Sequence, residues 1–153
     1  MEYTPFDPKT WKPPVLSMAC DVGVIRSTSN GFQILLVERR NNPYQGFYAL
    51  PGGFVEDGET LIGTAIRELF EETNISLDPS DLVFVEHLDN PERDPRGRII
   101  TSLYGALVRE DQNARAGDDA KSLAWFDINS LPELAFDHNL AVELVLKKLD
   151  IKA

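Results

Sequence analysis

The sequence predicts an α/β chain of the α+β kind, a mixed β-sheet sandwiched with few helices. Three observations point there. Six runs of strand length are rich in valine, isoleucine, leucine or aromatic residues. Only two segments repeat apolar residues at helical spacing, and turn residues separate most of these runs. With 153 residues, 42% of them apolar, one core of ordinary size suffices. No internal repeat, low-complexity tract or linker marks a second unit, so a single domain over residues 1–153 is expected.

The first fourteen residues carry Pro5, Pro8, Pro13 and Pro14 around Trp11, a composition that opposes helix and central strand and suits an extended arm. Val15 to Arg26 and Phe32 to Glu38 then predict the two strands of a hairpin, turning between Ser27 and Gly31. Asn41-Asn42-Pro43 and Gly46 punctuate a loop, after which Phe47 to Leu50 predicts a short strand ending in the turn Pro51-Gly52-Gly53. Between Thr60 and Thr73, Ile62, Ala65, Ile66, Leu69 and Phe70 recur at helical spacing. Asn74 ends that helix, since asparagine tolerates the left-handed conformation of a C-terminal cap. Leu82 to Leu88, Ile99 to Val108 and Leu123 to Ile128 predict further strands, and Leu140 to Leu149 a second helix.

A formal charge of −10 and a pI near 4.6 repel a phosphate backbone at long range, so no nucleic-acid partner is expected. A small phosphorylated ligand stays compatible, through local charge or a metal ion. The lone Cys20 excludes an internal disulfide, fits a reducing compartment, and reads as a small core residue. No apolar stretch reaches the roughly 18 residues needed to span a bilayer. No membrane partner is therefore expected, and the chain reads as cytoplasmic.

The first helix carries the chemistry. At about 100° per residue, Glu68, Glu71 and Glu72 fall within roughly a third of its circumference, opposite a stripe centred on Ile62, Ile66, Leu69 and Thr73. Like charges three and four residues apart each cost about 0.2–0.5 kcal/mol, so something positive is expected to offset them. A hard divalent cation fits, because carboxylate oxygens are its preferred ligands and Mg²⁺ commonly joins protein carboxylates to substrate phosphates. A solvated acidic face is the plain alternative, and spacing alone does not exclude it. Upstream, Gly52 and Gly53 let backbone approach a ligand closely.

In full the pattern runs Gly53, five residues, Glu59, seven residues, Arg67-Glu68-Leu69, one residue, Glu71-Glu72, one residue, Asn74 and Ile75. It resembles the box of the Nudix family, departing from it only where Asn74 replaces glycine. The resemblance implies an α/β/α sandwich and a pyrophosphohydrolase that uses Mg²⁺ or Mn²⁺ to cleave a nucleoside diphosphate linked to another group. Carried over by position, Glu68, Glu71 and Glu72 are implied metal ligands together with the Gly52 carbonyl. Arg67 orients the glutamates and Glu59 supports the loop. Glu68, Glu71 and Asp119 are all candidates for the general base, with Glu68 ranked first. Asp119 precedes Trp125 by six residues, where many Nudix proteins place a distal acid that reaches the metal. Its neighbour Asp118 is the alternative, and a simple Ala-Gly-Asp-Asp turn is the structural one.

Arg93, Arg96 and Arg98 gather in one loop of an acidic chain, suited to a diphosphate through charge-assisted bonds. Arg93-Asp94-Pro95-Arg96-Gly97-Arg98, with Ala116 to Asp119 and Leu134 to His138, is similar to the ADP-ribose pyrophosphatases among Nudix proteins. That resemblance runs across most of the chain. It implies hydrolysis of ADP-ribose to AMP and ribose 5-phosphate, with Arg96 or Arg98 near the phosphates. Phe47 or Tyr48 would stack on adenine, although aromatic residues in short strands more often bury. It also implies a homodimer. Nucleoside triphosphates, NADH and diadenosine polyphosphates are the competing substrates. A non-catalytic ADP-ribose sensor, as in transcription regulators that carry a similar domain, is the competing class.

Overall fold

The computed structural model describes residues 5, 7–12, 15–111, 114 and 120–152, with Ala120 and Lys121 described by their backbone alone. Seven strands form one mixed sheet. β1 (Ser17–Thr28) is its axis. It runs parallel to β6 (Ile99–Val108), from Ser17 opposite Ile99 to Arg26 opposite Val108. Its C-terminal end, Ile25 to Thr28, pairs antiparallel with the start of β2 (Gly31–Arg39), closing the predicted hairpin. Its N-terminal end, Ala19 to Asp21, pairs instead with β4 (Gly52–Phe54). β3 (Tyr48–Ala49) and β7 (Ala120–Asp127) both pair with β2, and β5 (Val83–Leu88) lies antiparallel on β6.

β1 and β2 are apolar almost throughout because both faces of the sheet are covered. Cys20, Val22, Val24 and Leu35 point to one face and meet Ala65 and Leu69 of α1 (Leu61–Thr73). Ile25, Ile34, Leu36 and Leu103 point to the other and meet Val142 and Val145 of α2 (His138–Lys148). The result is the expected sandwich of helix, sheet and helix. Gly23 in β1 lets α2 lie close, since a Cβ there would stand 2.7 Å from a Val145 methyl. Cys20 is fully buried, its Sγ donating to the Leu61 carbonyl at 3.2 Å. Burial, more than the carboxylates nearby, pushes its thiol up to about 12, so it is inert as expected.

Three elements differ from expectation. Pro51-Gly52-Gly53 is more than a turn, because Gly52 to Phe54 pairs with β1 as β4. The proline arm folds back at Asp7, whose carbonyl accepts from the Thr10 and Trp11 amides at 3.2 and 2.9 Å. The packed stripe of α1 is Thr64, Ala65, Leu69 and Thr73, whereas Phe70 is half exposed and Ile62 and Ile66 are only partly covered. The helix is rolled so that Glu68 turns toward the sheet. Side-chain-free Gly53 makes room, since a Cβ there would collide with the Glu68 carboxylate. The helix ends are as expected: Thr60 accepts from the Gly63 amide at 3.1 Å, and Asn74 closes the last turn at φ 63°.

Candidate active site

Arg67 organises the loop that leads from β4 into α1. Its Nε donates to Glu59 at 2.6 Å, and its two terminal nitrogens reach Glu68 at 2.9 Å, Glu71 at 3.1 Å and the Phe54 carbonyl at 3.1 Å. Glu59 in turn accepts from the Glu56 amide and the Thr64 hydroxyl, which fixes the loop against the helix. The Arg67 bonds, with the Glu56 amide next in weight, hold the Glu59 carboxyl down at about 2. The same bonds push the Arg67 guanidinium up, Glu59 contributing most. The like charges of the helix are thus partly offset from within the chain.

The hard-oxygen groups converge on the Gly52-Gly53 pair. Glu68 packs on Gly53 from the α1 face, while Glu72 and Gly52 border the same depression together with Arg39 and Arg40. Val22 donates to the Pro51 carbonyl, and Val55 to that of Met18. This register makes Asp21 and Gly52 a pair without ladder bonds, so the Gly52 carbonyl turns away from β1. Among the described residues no three His, Cys, Asp or Glu side chains form a tight cage, because Arg67 draws Glu68 and Glu71 to itself. In chemical type, three carboxylates and a carbonyl outside the β1 ladder fit Mg²⁺ or Mn²⁺.

Beside this face lies a cleft bordered by Gly52, Gly53, Phe54, Arg39, Arg96 and Phe136. Phe136 is its hub. Arg39 lies over this ring at 4.9 Å and Arg96 at 5.2 Å, and Arg96 also stands 5.1 Å from the Phe54 ring. Tyr44 packs on Phe136 with centroids 4.8 Å apart, and both residues take positive φ, 62° and 53°. Such backbone is uncommon outside glycine and often marks functional sites. Burial, then the charge of Arg96, lowers the proton affinity of Arg39. Asp94 binds Arg96 at 2.8 and 3.0 Å; although burial pushes its carboxyl up, the Arg96 bonds hold it below the usual range.

The predicted substrate residues separate in space. Arg96 is at the cleft. Arg93 borders it but is buried and committed, both nitrogens of one edge bonding Asp137 at 2.8 and 2.9 Å and another bonding Thr101 at 2.8 Å. Arg98 is exposed and does not border the cleft. Tyr48 packs edge-on against Phe126 in the α2-side core and Phe47 against Tyr44, and neither borders the cleft, which the rings of Phe54, Phe136 and His138 line. Asp118 and Asp119 lie outside the described residues. Sequence reasoning missed Arg39, Phe136 and Asp21, and took His138, which pairs with Asp21, for a capping or packing residue. The Leu134 to His138 resemblance was the one signal that touched two of these.

With this geometry in hand, comparison with known proteins is decisive for the family. The NUDIX domain matches residues 19–146. The chain belongs to the Nudix family. It is 45% identical to the ADP-ribose pyrophosphatase of Methanocaldococcus jannaschii over 111 residues, 72% of this chain and 64% of that protein. It is 33% identical to the ADPR responsive transcriptional repressor NtrR of Acinetobacter baylyi over 139 residues, 88% of this chain and 55% of that protein. The Nudix chain thus spans less than two thirds of either curated relative. Among solved structures, a bifunctional NMN adenylyltransferase/ADP ribose pyrophosphatase from Francisella tularensis, complexed with AMP and a manganese ion, superposes with a TM-score of 0.77. It is 32% identical, over 91% of this chain and 43% of that one. Nudix hydrolases generally use divalent metal ions. No helix among the described residues is long and apolar enough to cross a membrane.

Proposed function

We propose that this chain is a metal-dependent Nudix hydrolase that cleaves ADP-ribose to AMP and ribose 5-phosphate. The carrying observation is continuity: Gly52 borders both the glutamate face and the cleft where Arg39 and Arg96 share the Phe136 ring. Two neighbouring guanidiniums favour a dianionic diphosphate through charge-assisted bonds, and the Phe54 and Phe136 rings suit a flat base. Glu68, Glu71, Glu72 and the Gly52 carbonyl would hold Mg²⁺ or Mn²⁺, with Asp119 as a further candidate ligand and Asp118 as a candidate substrate contact. When bound, the cation lowers the pKa of a water and stabilises charge developing on the diphosphate. Arg67 and Glu59 keep Glu68 and Glu71 in place. Glu68, inward-facing beside Gly53, accepts the proton of the attacking water, and Glu71 is the alternative acceptor. The water oxygen bonds to one phosphorus as the bridging P–O bond breaks. Names of relatives support the substrate, since each of the three mentions ADP-ribose.

The NtrR likeness favours a second reading, ADP-ribose sensing without cleavage. One experiment separates them. The chain is offered ADP-ribose, NADH, a diadenosine polyphosphate and 8-oxo-dGTP with Mg²⁺ or Mn²⁺, and the products are identified. ADP-ribose turnover to AMP is expected to exceed the rest. Preferred cleavage of a triphosphate or dinucleotide overturns the substrate, and ADP-ribose binding without turnover favours the sensor.

A further inference from the structure

The Asp21 and His138 pair lines the cleft beside the start of β4, and nothing in the reaction outlined above uses it. Both residues are buried, at 8% and 5% exposure. His138 Nε2 stands 3.3 Å from Asp21 Oδ2, and its Nδ1 lies 2.9 Å from the Leu50 amide nitrogen. An amide N–H can only donate, so Nδ1 must be the bare nitrogen and Nε2 must carry the proton toward Asp21. One tautomer alone satisfies both contacts.

We propose that His138 is a positioning residue that aims the Gly52 carbonyl through its bond to the Leu50 amide; this rests on the metal reading above. The Gly52 carbonyl takes no ladder bond from β1, so its direction is set by the residues on either side. On one side Pro51 is fixed by the Val22 amide at 2.9 Å and Leu50 by His138. On the other, Gly53 pairs with Cys20. Asp21 closes the clamp, because its carboxylate fills the space that a Gly52 Cβ would occupy. The same helix end serves the other wall of the cleft: Asp137, the residue before His138, holds Arg93. Outer-shell hydrogen bonds of this kind tune a metal ligand without touching the metal.

The test is a titration with Mn²⁺ alone, without nucleotide, followed by the electron paramagnetic resonance of the free ion, on His138→Asn, His138→Gln and His138→Leu with melting curves alongside. The asparagine amide oxygen overlays Nδ1 and can still accept from Leu50. Glutamine reaches the Nε2 position and leaves the Leu50 amide unpaired. His138→Gln and His138→Leu are expected to weaken Mn²⁺ binding by about 10–100-fold, whereas His138→Asn stays within about threefold of wild type. Equal Mn²⁺ affinity in Asn and Gln variants that melt alike overturns the proposal, whether or not the leucine variant folds. Glu72→Gln reads the metal site itself. If it loses Mn²⁺ while the His138 series is flat, only the positioning role fails. If wild type and Glu72→Gln bind alike, the metal reading fails.

Discussion

Arg67 bonds Glu59, Glu68 and Glu71 at once, so removing any one carboxylate frees the guanidinium to redistribute among the others. Glu59 is the member with a clear pH signature. Its folded pKa is about 2 against an ordinary 4.5, so the unfolded chain binds its proton first as pH falls. Its stabilisation is complete above about 4.5 and disappears as pH falls through about 2. Glu59→Gln is therefore expected to melt at lower temperature than wild type at pH 7, the gap closing as pH is lowered across that window. A gap independent of pH would place the effect elsewhere. Glu72 borders the Gly52 depression rather than a core. Glu72→Gln is expected to lower turnover by several orders of magnitude with an unchanged far-ultraviolet dichroism spectrum, since the proposed metal ligand is lost and no packing is.

At the scale of elements, α1 and α2 are held by different means. The ends of α1 are legible because their signals are local: the apolar spacing starts after Thr60, and Asn74 caps the last turn wherever the rest of the chain lies. Its roll about its axis is not, because Glu68 turns inward only where Gly53 arrives from another strand. α2 depends on close approach to β1 and β6 at Gly23 and Gly105, which face each other in the ladder beneath Val145. Valine at 145 is stiff, with few rotamers to yield. Gly23→Ala is expected to cost about 1–3 kcal/mol in urea unfolding by overpacking. Because α2 begins at His138, the same change should also blunt Mn²⁺ binding. β4 escaped notice since three residues, two of them glycine, read as a turn until β1 pairs with them.

For the whole molecule, the proposed cation would add stability that the chain by itself does not have. With Glu68, Glu71 and Glu72 at one helix end, added Mg²⁺ or Mn²⁺ at a hundredfold excess over its dissociation constant is expected to stabilise the fold by about 2.7 kcal/mol. For a chain of this size that is a rise of roughly 5–10 °C in melting temperature. A melting curve unmoved at saturating metal would count against the site. The arginine loop shows how folding re-sorts residues alike in sequence. Arg93 becomes an internal strut to Asp137, Arg96 meets the rings, and Arg98 faces solvent.

What the sequence by itself determined was local: the apolar strand runs, the Asn74 cap of α1, and the order of glycine, arginine and glutamates that marks the family. These are carried by residues within one continuous stretch of chain, where spacing dictates geometry. The tertiary structure alone decided which arginine meets the cleft, that Arg39 and Phe136 meet across it, and that His138 reaches back to Leu50 and Asp21. Those contacts join segments far apart in the chain, and no periodicity encodes where the sheet will bring them together.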